Sequence, residues 1–411
     1  MKKTLFKAIV ALTLCLSSAG KALAQAPDFA RGADISWCTE MEAENYKFYN
    51  SDGVRTDIFA LMKEIGMNTI RLRVWVNPEN AYGPWCDKAD VVNKAVRANE
   101  QGLSVMIDFH HSDFFADPSQ QDKPADWSDY SVSELTQAVA DHTTDVLSAL
   151  DSAGVTPVWV QVGNETNHGM LWDDGYLWPS SAGSYGYWDN YVAFNNAAYE
   201  AVKAVFPDAI VIVHLADAST ASLWWWKRFS SEGGKFDMAG FSHYPEVDTY
   251  DSDNTAACTC LAQVAANMGV QTMIVETAVS NDDDEVAYNV MSDLFTKVRG
   301  QSGIVGILYW EPEIYNYWKP DYYQSLGWNA WDKGAFYSSG NSAGAHYGSP
   351  SAALSAFSED ADTYDDIRAV ETDEVEGATT FYNLAGQQVS AGSTGLLIEK
   401  SGNSARKILR R

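Results

Sequence analysis

Between Ala30 and about Phe357, short β-rich runs alternate with longer stretches whose apolar residues recur every three or four positions. The short runs are Ala33–Trp37, Thr69–Trp75, Ser104–His110, Pro157–Gly163, Ile210–Leu215, Met238–His243, Gln271–Glu276 and Ile304–Trp310. Several are apolar on both faces, as a sheet covered by helices requires. The first periodic stretch, Asp57–Ile65, sets Ile58, Leu61, Met62 and Ile65 on one helical face. Val91–Asn99, Val132–Leu150, Trp188–Val205, Ala221–Phe229, Leu261–Met268 and Glu285–Val298 follow, and Pro350–Phe357 closes the series. Eight strand–helix units in this span predict an α/β protein with a (β/α)8 TIM barrel and long loops. A doubly wound sheet is the rival, but no glycine-rich phosphate turn follows the first strand.

The flanks differ in character. Lys2 and Lys3 precede the apolar run Ala8–Leu16, and Ala22-Leu23-Ala24 offers small residues for cleavage before Gln25, so residues 1–24 read as a signal peptide. The run is too short to anchor in a bilayer, and no membrane span is expected. The expected location is outside the cytoplasm: secreted, on the cell surface or periplasmic. Residues 25–357 are assigned to the barrel. Residues 358–378 hold nine acids and a single base, Arg368, and read as a solvated linker. Residues 379–411 offer short strands at Thr380–Leu384, Gln388–Ser390, Gly395–Ile398 and Lys407–Leu409, with a turn at Ala385-Gly386. So few residues bury little core, which predicts a β-rich tail that docks on a partner.

Charge and composition narrow the function. With 55 acidic against 28 basic side chains and a net charge of −27, the chain lacks the basic clusters that nucleic acid or anionic lipid would reward. Fifteen Trp and 21 Tyr exceed what a core usually needs, and sugar-binding clefts use such flat, half-polar faces. With Cys15 in the signal peptide, Cys38, Cys86, Cys258 and Cys260 remain. Cys38 and Cys86 follow neighbouring strands, which predicts a single Cys38–Cys86 disulfide. Cys258 and Cys260 are spaced too closely to pair comfortably with one another.

In such barrels the chemistry sits at the C-terminal ends of the strands. Two glutamates there, Glu165 and Glu276, follow largely apolar strands, where an ionised carboxylate needs partners or a task. A structural ion pair with Arg71 or Arg73 is one reading. The other is that carboxylates on the fourth and seventh strands flank a bound sugar, the pairing that glycoside hydrolysis needs. On that reading Glu165 is the acid/base, with Asn164 beside it for the sugar 2-hydroxyl. Glu276, if close to Arg71 or Arg73, stays ionised as the nucleophile.

These residues carry a family resemblance. Gly163-Asn164-Glu165 and Glu276 are similar to the arrangement in retaining enzymes of glycoside hydrolase clan A. More narrowly, residues 30–357 resemble family 53, the arabinogalactan endo-β-1,4-galactanases. The matching runs are Gly32–Ser36, Arg71–Pro78, Asp108–His110, Ser112-Asp113, Ala116–Pro118, Val160–Asn167, Gly169–Trp172, Tyr309–Pro312 and Gly327–Asn329. The resemblance implies a retaining endo-acting hydrolase of β-1,4-galactan, the side chain of pectic arabinogalactan. Arg71, His110, Asn164, Tyr244 and Trp310 then line the subsite of the cleaved sugar. Trp85 and Trp172, on loops, are candidates either for outer sugar platforms or for loop packing, and His110 is alternatively a barrel-core histidine.

The chain departs from the family at His111 and Phe115, at His243 where a second Tyr is usual, and after Glu276, where Thr277–Ser280 lacks an aromatic-Pro pair. Bacterial relatives can hold a structural calcium. Asp248, Asp251, Asp253 and Asp282–Asp284 supply oxygen ligands, but no calcium-loop pattern is complete, and Glu246–Ala257 reads as a solvated acidic loop. No cofactor is required by the expected chemistry, and a monomer is expected. Tyr382–Val389 with Gly395–Ile398 resembles the C-terminal sorting segments of exported Bacteroidetes proteins. Two rival functions remain: a clan A enzyme acting on mannan or glucan, and a catalytically silent glycan-binding barrel.

Overall fold

The computed structural model describes residues 26–78, 83–178, 186–314, 333–340, 346–358, 380–383, 387–390, 392–401 and 404–410. Residues 1–24, expected to be a signal peptide, nearly all of residues 358–378, expected to be a linker, Gly327–Asn329 and Ala385-Gly386 lie outside them. Eight parallel strands close into a barrel: β1 (Ala30–Asp34), β2 (Thr69–Val74), β3 (Ser104–Phe109), β4 (Trp159–Val162), β5 (Ile210–Leu215), β6 (Met238–Ser242), β7 (Gln271–Thr277) and β8 (Ile304–Trp310). β1 pairs with both β2 and β8, which shuts the sheet on itself. Around it run α1 (Ile58–Ile65), α2 (Lys88–Glu100), α3 (Val132–Ser152), α4 (Trp188–Val205), α5 (Ser222–Ser231), α6 (Tyr250–Met268) and α7 (Asp284–Arg299), and a 3-10 helix, Ala352–Phe357, fills the eighth place. The expected barrel is present, with strand ends within three residues of their predicted limits.

Local chemistry explains the boundaries. Asp57 caps α1 by accepting from Phe59 N, and Gly66, at φ 110°, ends the helix in the left-handed conformation that glycine tolerates. Ser131 and Glu134 form a reciprocal capping box at the start of α3. Asp283 caps α7 through Glu285 N and Val286 N. One segment corrects the sequence reading: Tyr250–Ala257 is not a solvated loop but the first turns of α6. Asp251 and Asp253 there stand at a helix N-terminus, whose partial positive charge favours them.

Alternation along the strands divides the barrel interior into two layers. Ala30, Met106, Trp159, Ile212, Met238, Met273, Val275 and Leu308 form a buried apolar cluster of their own, separate from the larger core between sheet and helices. Two residues further along, the same faces carry Asp108, Gln161, His214 and Trp310. β7 is irregular: Phe241 pairs with Ile274, but Ser242 pairs with Glu276, skipping Val275. Strict alternation would send Glu276 outward with Ile274; the bulge returns it to the interior.

The four cysteines are buried free thiols, so the predicted Cys38–Cys86 bridge is not formed. Cys86 Sγ lies 3.6 Å from Ser36 O and accepts from Lys94 Nζ at 3.7 Å. Lys94, fully buried and paired with Asp90 at 2.7 Å, fills the space beside the thiols. Burial pushes the Cys86 thiol up to about 11, away from the thiolate that disulfide chemistry needs. The tail forms a four-stranded antiparallel sheet of Gln388–Val389, Thr380–Tyr382, Gly395–Ser401 and Ser404–Arg410. Lys407 Nζ donates to Tyr288 OH on α7 at 2.5 Å. Among the described residues, no helix is long and apolar enough to cross a membrane.

Candidate active site

β4 ends in an abrupt turn. Gly163 sits at φ 116°, and a Cβ there would meet Thr166 Cγ2 at 2.7 Å. Glu165 itself is left-handed, at φ 47° and ψ 52°. A non-glycine residue held there stores strain, a recurrent feature of functional sites. A cavity of about 270 Å³ opens at this end of the barrel, lined by Arg71, His110, Asn164, Glu165, Tyr244, Glu276 and Trp310. These are the seven expected residues other than Trp85 and Trp172. Asp34, Arg73, Phe115, Ala116, Asp117 and Lys333 complete the lining.

Arg71 organises the anionic side. Its Nη1 donates to Asp34 Oδ2 at 2.9 Å, and its Nη2 lies 2.8 Å from Asp108 Oδ2, 2.9 Å from Asn164 Oδ1 and 2.8 Å from Glu276 Oε1. Arg73 pairs instead with Glu311. The structure thus meets the condition set for Glu276 through Arg71. Tyr244 OH donates to Glu276 Oε2 at 3.0 Å.

Glu165 and Glu276 face one another, with carboxylate oxygens within 4.8 Å. Burial, then the charge of Glu276, holds Glu165 well above the ordinary carboxylate range. Burial raises Glu276 too, but Arg71 and the Tyr244 hydroxyl act against it. Shared between the two, a single proton belongs on Glu165.

The other expected residues divide by what they touch. Asn164 Nδ2 donates to Ala116 O at 2.8 Å, leaving its second amide hydrogen uncommitted by that bond. His110 lines the cavity, yet its Nε2 contacts Asp108 at 3.0 Å and its Nδ1 accepts from Ala116 N at 2.9 Å. It therefore shapes the wall more than it offers a donor. Trp310 stands edge-on to Tyr244, centroids 6.4 Å apart. Trp172 donates from Nε1 to His168 O and packs against Tyr176 at 4.5 Å, the loop-packing arrangement. Trp85, half-buried, is likewise not brought to the cavity wall.

The departures from the family pattern lie mostly off the site. His111 stacks on Phe109, and burial pushes it down to about 3, so it is a neutral core residue. His243 bonds Asn254 on α6 at 2.8 Å.

Sequence reading missed a group beneath the carboxylates. Gln161, His214 and Ser242 join Arg71 and Glu276 in a closed ring of contacts. Their signal was polar residues at inward positions of apolar strands. Among the described residues, Glu165, His214 and Glu276 are the cluster able to offer three metal ligands, but both His214 nitrogens are already engaged within the ring. Trp178 and Trp224, which no sequence pattern singles out, are 42% and 52% exposed with centroids 5.9 Å apart, in the loop after β4 and at the start of α5.

The sequence profile of glycosyl hydrolase family 53 matches residues 30–358. The arabinogalactan endo-β-1,4-galactanase of Cellvibrio japonicus is 30% identical over 341 residues, 76% of this chain and 87% of that protein. The family 53 catalytic domain of Ignisphaera aggregans superposes with TM-score 0.67 at 28% identity, over 80% of this chain and 95% of that one. A fungal β-1,4-galactanase structure gives TM-score 0.65 at 27% identity, over 80% and 98%.

Proposed function

Because the chain belongs to glycosyl hydrolase family 53, and so is a glycosyl hydrolase, we propose that it cleaves internal linkages of β-1,4-galactan by double displacement. The observation that carries the mechanism is the opposed pair: a raised, half-buried Glu165 facing a Glu276 held by Arg71. Their oxygens lie within 4.8 Å, which favours the close spacing of retaining enzymes, about 5–5.5 Å, over the 6.5–9.5 Å that leaves room for a water.

In the first step Glu165 gives its proton to the glycosidic oxygen while a Glu276 oxygen attacks C1, releasing the leaving chain and forming a glycosyl ester. In the second, the Glu165 carboxylate takes a proton from water, the water oxygen attacks C1, and Glu276 departs as carboxylate. Two inversions retain the configuration. The two carboxyl groups supply the nucleophile and the proton shuttle, so no cofactor enters these steps.

Arg71, His110, Asn164, Tyr244 and Trp310 would border the cleaved sugar, and the exposed Trp178–Trp224 pair offers a surface to a longer chain. The galactan assignment draws on the activity named for the relatives; secretion draws on the composition of residues 1–24. Incubation with potato galactan, mannan and carboxymethyl-cellulose tests the substrate. Cleavage of galactan alone, with retained configuration in the first product by proton NMR, is expected. Preference for another polymer or an inverted product overturns the corresponding half.

A further inference from the structure

Ser242 Oγ lies between the two carboxylates, 2.6 Å from Glu165 Oε1 and 3.2 Å from Glu276 Oε2, and 2.9 Å from His214 Nε2. A serine hydroxyl has one hydrogen to give and two lone pairs to receive. The surroundings of His214 determine which it does there. Glu165 N donates to His214 Nδ1 at 3.3 Å, and Gln161 Nε2 stands 3.0 Å from the same atom. Asn164 Oδ1 also lies 3.1 Å from Nδ1, but it already accepts from Arg71 Nη2 at 2.9 Å and from Gln161 Nε2 at 3.2 Å, whereas the Glu165 N–H can only donate, so Nδ1 is the acceptor. Burial, followed by Arg71, holds the ring pKa far below its usual value, so the imidazole is neutral and its hydrogen is on Nε2, facing Ser242. Ser242 Oγ therefore accepts from His214, and its own hydrogen has two carboxylates to choose between.

We propose that the Ser242 hydroxyl is a two-position switch that donates to Glu276 while Glu165 holds its proton, and to Glu165 once that proton has left. The proposal rests on the double-displacement reading. While Glu165 is the waiting acid, its O–H donates to Ser242 Oγ and Ser242 donates to the Glu276 anion. After Glu165 has protonated the leaving oxygen and Glu276 has become an ester, the stronger acceptor is the Glu165 carboxylate. The hydroxyl turns about its Cβ–Oγ bond to meet it. No proton leaves Ser242 in either setting and no heavy atom moves; His214 holds the oxygen still. Ser242 is a positioning residue, supporting in each half-reaction whichever carboxylate carries the charge.

The other charges facing the pair are Asp34, Arg71, Asp108 and Asp117, with Tyr244 against Glu276 and His110 against Asp108. Replacement of Ser242 leaves all of these groups in place. The test is the pH profile of kcat/KM on galactan and on an aryl β-galactoside for wild type, Ser242→Ala and Ser242→Thr. Loss of a bond to a charged group should raise both limbs of the Ser242→Ala profile by about one pH unit and lower the optimum 10- to 100-fold. Ser242→Thr, which keeps the hydroxyl, should return both limbs to their wild-type places. Should the threonine not fold, Ser242→Cys, a weak donor of similar size, should behave like alanine.

A folded Ser242→Ala that loses rate with unmoved limbs has only a packing defect and overturns the switch, as does a cysteine with serine-like limbs. The underlying mechanism fails separately: an inverted product from the wild-type enzyme removes double displacement whatever Ser242 does.

Discussion

Arg71 Nη2 stands 2.8 Å from Glu276 Oε1, with the two side chains 1% and 6% exposed. The same guanidinium meets Asp34 and Asp108. Lysine offers one compact ammonium and cannot reproduce this fork. Arg71→Lys should lower kcat/KM at least ~100-fold and raise the acidic limb, because a single ammonium on a shorter reach cannot stay against Glu276 while it also meets Asp34 and Asp108. Breaking buried pairs of this kind typically costs about 3–5 kcal/mol. A melting curve alongside the pH profile checks both effects.

The pH dependence follows from the opposed environments. Turnover needs Glu276 ionised and Glu165 protonated, so rate rises with pH through the Glu276 titration and falls through that of Glu165. Burial and the neighbouring anion hold Glu165 well above the ordinary range, which should extend the active plateau beyond where a free carboxylic acid has ionised. A kcat/KM profile on an aryl β-galactoside measures both limbs; an alkaline limb near the value of a free glutamate would count against Glu165 as the acid.

Azide separates the two carboxylates. In Glu276→Ala it should take the place of the missing nucleophile and give a product of opposite configuration. In Glu165→Ala the covalent intermediate still forms, so azide should give a product of retained configuration. That variant should also spare aryl glycosides relative to galactan by ~10²–10⁴-fold, the usual worth of general acid help. Exchanged rescue patterns would reverse the roles; no rescue in either variant would mean the wrong pair.

The tryptophans should divide by position. Trp310→Ala removes a wall of the cavity and should depress turnover on every substrate. Trp224→Ala, at an exposed ring, should weaken long galactan several-fold and leave an aryl galactoside unaffected. Trp172→Phe keeps most of the loop packing against Tyr176 and should change neither KM nor kcat by more than about twofold. Kinetics on the two substrates distinguishes the three.

Reductant should leave the melting temperature unchanged, because Cys38, Cys86, Cys258 and Cys260 are free. Alkylation in denaturant without reductant should label all four; two unlabelled cysteines would restore the predicted bridge.

Much of this fold and site is legible in the sequence. The two periodicities located the strands and the helices because the sheet and its cover bury opposite faces, and the polar ends of β2, β3 and β4 marked the mouth. What escaped was whatever local pattern cannot express. Glu276 reaches the interior only through a bulge between β6 and β7, which β7 by itself does not announce. His214 is the last but one residue of an otherwise apolar strand and reads alone as a satisfied core histidine; only its neighbours in space give it a task. Tyr250–Ala257 resembles a loop because its acids favour helix only at an N-terminus.

The apolar layer beneath the carboxylates has a consequence for how this enzyme tolerates change. Met106, Trp159, Ile212, Met273 and Leu308 form a floor on which the polar residues stand, and the strands run through both storeys. Durability and reactivity are thereby assigned to alternate steps of the same ladder. A library confined to the upper storey can search for new sugar preferences while the foundation continues to set the temperature at which the barrel opens. Changes to the floor should weaken the building without altering what it cuts.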